Sequence, residues 1–155
     1  MSWTQTLTRV MDRLFRIEPV YAHCDVPCGI YDPHTAALSA KTVHTMNKKL
    51  TDLPLPGAGA SAQEQLAHRN TVVRMVQTKE QHAQLCKQEL LILWTDYFKL
   101  ETLGMFPDLH ETFWKAAKLC SYNKQNVDLA KSQELLDAVA KISDMFQKAE
   151  AAKKK

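Results

Sequence analysis

Glycine is nearly missing from this chain: four residues, Gly29, Gly57, Gly59 and Gly104, serve a length of 155, and runs of β-branched residues are short. Helix is therefore the default expectation. Long apolar runs are missing too. No stretch approaches the roughly 20 residues that would cross a bilayer, so no membrane partner is expected. Near the N-terminus, Asp12 and Arg13 interrupt the segment in which a secretory signal would carry its apolar stretch. Arg9, Arg13 and Arg16 would suit an organelle transit peptide, but Asp12 and Glu18 count against one, and a cytoplasmic chain is the expectation. A basic stripe with interleaved aromatics, the mark of a nucleic-acid binder, is also missing. The net charge is +3, and the one dense basic run, Lys153 to Lys155, suits a solvated helix C-terminus. Four cysteines are too few for a disulfide scaffold at this length.

What is present suffices for one domain with a single core, since 45% of the residues are apolar. Residues 4–16 carry Leu7, Val10, Met11, Leu14 and Phe15 at helical spacing, a short helix ended by Pro19. Asp32 followed by Pro33 reads as an N-cap and first helical residue, opening a helix with Ala36, Ala40, Val43, Met46 and Leu50 on one face. Thr51 to Ala60, with two prolines and two glycines, is a linker. Ser61 and Glu64 form a capping box for a long helix over 62–99, with Leu66, Val73, Val76, Ala83, Cys86, Leu90, Leu93 and Tyr97 inward. Gly104 and Pro107 separate it from a helix over 108–122, with Leu109, Phe113, Ala117 and Cys120 inward. After a turn at 123–126, a last helix runs to Glu150 with Leu129, Leu135, Val139, Ile142 and Phe146 inward. The pattern predicts an all-α fold, an antiparallel four-helix bundle over 33–150.

One stretch cannot be regular helix. Tyr21-Ala-His-Cys-Asp-Val-Pro-Cys-Gly-Ile-Tyr-Asp-Pro33 holds two prolines and a glycine, and in it His23 precedes Cys24, with Cys28 four residues on. Two thiolates on one tight loop can reach one ion. A zinc site would want further Cys or His at short spacing, and His34, His44, His68, His82 and His110 are scattered along the helices. Cleavage between Ala22 and His23 changes the donor count. The new α-amine, the His23 imidazole, the Cys24 amide nitrogen and the two sulfurs would then all be available. Amine, amide and the Cys24 sulfur close two fused five-membered chelate rings, which favour a square plane, and tetragonal nitrogen–sulfur geometry suits nickel or copper. On residues alone a metal carrier, or a helical module with a redox-sensing thiol pair, stays open beside an enzyme. Cys86 and Cys120 sit in helical, partly apolar surroundings and read as core thiols.

The run His23-Cys-Asp-Val-Pro-Cys-Gly-Ile-Tyr-Asp-Pro33 resembles the metal-binding hook of nickel-containing superoxide dismutases. Trp94-Thr-Asp-Tyr-Phe-Lys99 is similar to that family's segment at the end of the second bundle helix, and the likeness extends weakly to about residue 150. The resemblance implies a propeptide over 1–22, removed by a processing protease, and an enzyme domain over 23–155 with its hook at 23–31. It implies one nickel ion per subunit, held by His23, Cys24 and Cys28. It implies disproportionation of superoxide to O₂ and hydrogen peroxide by a Ni(II)/Ni(III) couple, and assembly as a homo-hexamer. Carried over by position, Tyr31 stands at the open coordination face, Tyr97 is a second tyrosine near the site, and Asp25 orders the hook backbone, which Pro27 and Gly29 shape. One departure is visible. Ser39 stands where the family carries a glutamate that holds the axial imidazole, and His82 where it carries that glutamate's arginine partner.

Overall fold

A computed structural model describes residues 30–153 of the chain. Among the described residues there are four α-helices and no strand: α1 (His34–Asp52), α2 (Ala62–Ile92), α3 (Leu109–Gln125) and α4 (Leu129–Lys153). The expected helix over 4–16, the cleavage point at Ala22 and His23, and Cys24, Asp25 and Cys28 lie outside the described residues.

Local chemistry starts α2 where the sequence indicates and α1 one residue later, with Pro33 rather than Asp32 at the cap position and His34 as the first helical residue. Pro33 takes helical dihedrals, φ −75° and ψ −2°, and its carbonyl accepts from the Ala37 N–H at 3.0 Å. The Asp32 carboxylate accepts from the His34 N–H at 2.6 Å, satisfying one of the orphan donors of the first turn. At the head of α2 the capping box closes both ways. The Ser61 hydroxyl accepts from the Glu64 N–H at 3.3 Å, and the Glu64 carboxylate accepts from the Ser61 N–H at 2.8 Å.

Each helix packs on two others, α1 on α2 and α4, and α3 on α2 and α4. Only three residues join α3 to α4. Such a closed ring with short connections is the expected antiparallel bundle. Its core takes Ala36, Ala40 and Val43 from α1, Ala83, Cys86 and Leu90 from α2, Phe113 and Cys120 from α3, and Leu135, Val139 and Ile142 from α4.

Three residues expected inside are outside: Leu66 and Val73 are each 61% exposed, and Leu129 is 39% exposed. A register mark explains the first two. The Lys79 side chain reaches the carbonyls that end α3, so α2 before Lys79 runs on past the end of its neighbour. No α3 surface remains there for an apolar face to cover. Leu129 is the first residue of α4, at that same end of the bundle.

The long helix also stops differently from the expectation of continuous helix to residue 99. The α-helix ends at Ile92, a π-helical turn spans Leu93–Tyr97, and a 3₁₀ turn follows at Leu100–Gly104. Phe98 N–H donates to the Leu93 carbonyl five residues back, at 3.1 Å. Phe98 itself is extended, with φ −77° and ψ 122°. The chain thus leaves the helix just where Tyr97 and Phe98 fall, and two consecutive rings both enter the core. Single π turns of this kind are frequent at functional sites.

Candidate functional site

The rings delivered by that π turn meet the start of α1. Tyr31 packs edge-on against Tyr97, with centroids 5.6 Å apart and planes at 60°. Tyr97 also meets Phe98 at 4.8 Å and Phe146 of α4 at 4.5 Å. Edge-to-face pairs set the electropositive rim of one ring against the electronegative face of the other, which fixes relative orientation as well as burying area. Tyr31 remains half-buried, whereas Tyr97 is 7% exposed. The structure therefore brings together the two tyrosines singled out in the sequence, 66 positions apart, and places Tyr31 nearer the surface.

A buried phenol needs a hydrogen-bond partner. Tyr97 donates to the Glu150 carboxylate on α4 at 2.6 Å. Burial pushes the Tyr97 phenol well above the ordinary tyrosine range, and the hydrogen bond and negative charge of Glu150 push it the same way, so at neutral pH it stays a donor. Lys153, one turn on, donates to Glu150 at 2.7 Å and sits 4.2 Å over the Tyr97 ring. Sequence reasoning missed both residues as neighbours of Tyr97. A Glu and a Lys three apart on a final helical turn carry no local signal beyond an exposed helix-end pair.

Trp94 anchors the neighbouring packing. Its ring stacks on Phe113 at 5.8 Å with planes 7° apart, and its indole N–H donates to His110 Nδ1 at 2.8 Å. Those contacts make Trp94 a joint between the π turn and α3.

Ser39 is buried on α1, and His82 is half-buried on α2, the helix packed against it. Among the described residues the buried His82 Nδ1 has no hydrogen-bond partner. An orphaned buried polar nitrogen costs roughly 1–3 kcal/mol, so it is the kind of position that an incoming group satisfies.

Cys86 and Cys120 are both fully buried in the core. The hydrogen bond that the Cys86 thiol donates to Cys120, reinforced by burial, holds that thiol far above its usual range. A thiol kept protonated is a poor metal ligand. Among the described residues no group of three or more His, Cys, Asp or Glu side chains is arranged to hold a metal ion, and no helix is long and apolar enough to cross a membrane.

The family model described as nickel-containing superoxide dismutase matches residues 18–150. A nickel superoxide dismutase of Streptomyces seoulensis is 36% identical over 138 residues, covering 88% of this chain and 95% of its own length. That of Streptomyces coelicolor is 35% identical over the same shares. Among solved structures, the native form of a nickel superoxide dismutase superposes with a TM-score of 0.69 at 32% identity, covering 83% of this chain and 99% of the other. A crystal structure of a nickel-containing superoxide dismutase with its ligation in the oxidised state gives a TM-score of 0.68 at 34% identity, with the same coverage.

Proposed function

The chain belongs to the nickel-containing superoxide dismutase family, with nickel as its cofactor and superoxide dismutation as its activity, and from that premise we propose that its site is the hook formed when cleavage frees His23. His23 would supply its new α-amine and its imidazole, Cys24 its amide nitrogen and thiolate, and Cys28 its thiolate. Asp25 orders the loop that carries them. Nickel held by these donors supplies a one-electron couple that passes an electron from one superoxide to another, giving O₂ and, with two protons, hydrogen peroxide. The processed domain, 23–155, works as a cytoplasmic homo-hexamer with one ion per subunit, after a protease removes residues 1–22.

The observation that carries this reading is the inertness of the other two thiols. Cys86 and Cys120 are sealed in the core and Cys86 is held protonated, which leaves the Cys24 and Cys28 pair as the thiolates able to meet an ion. The orphaned His82 Nδ1 supports it further. A neutral imidazole can accept from the distal N–H of the His23 ring, so His82, with Ser39 beside α2, would replace the carboxylate and arginine that other members use. The test is protein beginning at His23, metal-free and then supplied with nickel. One bound nickel per chain and superoxide loss are expected. Failure to dismute with nickel bound would favour a carrier, and failure to bind would sink the hook.

Two variants probe the surroundings. Tyr31→Phe keeps the ring and its 5.6 Å packing on Tyr97, so nickel content and most of the activity should survive. A loss of about 100-fold, the scale of general acid–base catalysis, would instead give the hydroxyl a proton-transfer role. His82→Leu removes the acceptor and should cost about tenfold in nickel affinity or turnover, within the range of outer partners of metal ligands. His82→Gln, whose amide oxygen still accepts, should recover most of it. Equal affinity and turnover in all three proteins would show that His82 is only a helix-face residue.

A further inference from the structure

The geometry points to Glu150 as a positioning residue of the dismutase, holding Tyr97 and through it Tyr31 in the orientation that shields the metal site. The inference rests on the placement of both tyrosines at that site proposed above.

Four contacts converge on it. Tyr97 is locked from the side by Phe146 at 4.5 Å and by Phe98 at 4.8 Å, and Tyr31 leans on its edge at 5.6 Å. Rings packed this way can still rock about the bond to the backbone. What fixes the outer end of Tyr97 is the 2.6 Å hydrogen bond from its hydroxyl to the Glu150 carboxylate. A charge-assisted bond of this length is about twice as strong as a neutral one. It joins the π turn after α2 to the last turn of α4, so an oxygen on the C-terminal helix fixes the hydroxyl end of the ring on which Tyr31 leans.

The charge arrangement fits an anionic substrate. An unpaired carboxylate on a tyrosine that serves such a site would repel superoxide. Lys153 answers it with a 2.7 Å ion pair and lays its ammonium 4.2 Å from the centre of the Tyr97 ring, so the last turn of α4 presents a paired charge there. The carboxylate's use is therefore as a hydrogen-bond acceptor, with its charge offset where it stands.

The inference separates cleanly from a general structural role by comparing Glu150→Ala with Glu150→Gln. The amide oxygen of Gln accepts from Tyr97 without the charge, and Ala removes the acceptor. First, ¹³C NMR of tyrosine ring carbons in the metal-free full chain follows Tyr97, assigned by Tyr97→Phe. Its ionisation should move to lower pH in both variants, because the negative charge that opposes phenolate formation is gone. Burial remains, so it should stay above that of an ordinary tyrosine. Second, activity is read in nickel-loaded protein beginning at His23. Glu150→Ala should lose about tenfold in kcat/KM with its nickel content unchanged, the low end of what outer partners of a metal site contribute, and Glu150→Gln should restore most of that loss. An unmoved Tyr97 titration would overturn the inference, as would a moved titration with unchanged kcat/KM. So would a Gln variant as impaired as Ala, since the carboxylate would then be needed for its charge or its proton. If instead the wild-type processed protein binds nickel without dismuting superoxide, the proposed function fails first, and the titration still reports whether Glu150 holds Tyr97.

Discussion

Protein that keeps residues 1–22 should show no superoxide loss above background, even with nickel in excess, and removal of those residues should switch activity on. The reason lies in one bond. In the uncleaved chain the nitrogen of His23 is an amide shared with Ala22, with its lone pair delocalised into the carbonyl. It cannot serve as an amine donor, and the first of the two five-membered chelate rings cannot close on it. The bundle beginning at Tyr31 is a unit of its own, so its helices should be the same in both forms and helical circular dichroism should not distinguish them. Cys24→Ser or Cys28→Ser in the processed protein should reproduce the loss. A hydroxyl is a hard, weakly acidic donor where the couple needs a soft thiolate, and in the sequence both residues precede the apolar faces of the four bundle helices. The measurement pairs nickel content with superoxide loss for the cleaved, uncleaved and serine forms. Activity in verified uncleaved protein would remove the amine from the donor set. Unfolding of a serine variant would make the cysteine structural.

The bundle was legible because its information is periodic. Apolar residues at helical spacing, an Asp-Pro start and a capping box each act within a few residues, so each could be read locally and each is found, the Asp-Pro start one residue later than expected. Errors arose where the outcome depends on how far a neighbour extends. Leu66 and Val73 belong to the same apolar series as Ala83 and Leu90, and nothing in that series tells that α3 ends level with Lys79. The π turn at Leu93–Tyr97 was equally invisible, because a turn widened by one residue leaves the periodicity before it untouched. The contact between Tyr31 and Tyr97 joins two residues that motifs single out, whereas their neighbour Glu150 lies in no motif. Its partner is 53 residues away, and an exposed-looking glutamate near a lysine is the commonest pattern on a helix surface. Ser39 and His82 stood out for the opposite reason, as departures from a familiar pattern, and the orphaned nitrogen of His82 gives that departure a physical content.

Lys79 is the least legible residue of all, and replacing it should produce a large loss of stability in the bundle. By sequence it is one more polar residue on α2; in the fold it is 1% exposed, the bulkiest of the fully buried side chains. Its ammonium donates to the carbonyls of Asn123, Lys124 and Asn126, three protons to three acceptors. Those carbonyls belong to the last turn of α3 and its cap, where no further N–H of the helix reaches them and where the helix dipole is negative. Burial pulls the lysine below its usual range, opposed by the charge of Glu80. Around it, Asn47 donates to Asn123 at 3.0 Å, and Asn123 donates to the Leu119 and Lys131 carbonyls at 2.9 and 3.2 Å. The lysine thus ties α2 to the α3–α4 turn, and the asparagines tie in α1. Replacing a buried ion pair by apolar side chains is often neutral, because both charges leave together. Here the partners are backbone carbonyls, which no substitution can remove. Lys79→Met keeps the stem and deletes the ammonium, leaving several buried acceptors unsatisfied at about 1–3 kcal/mol each, partly offset by the desolvation of a charge no longer buried. A net destabilisation of about 2–4 kcal/mol is expected, or a fall in Tm of about 10 °C for a domain of this size. Denaturant unfolding of metal-free protein at one fixed concentration measures it, since association would otherwise add to the apparent stability. Hydrogen exchange should locate the damage, with amides in the last turn of α3 and at the start of α4 losing protection before the middle of α2. A change under about 0.5 kcal/mol, the usual scale of a surface substitution, would mean that water replaces the ammonium at those carbonyls and that the buried lysine is not what ends α3.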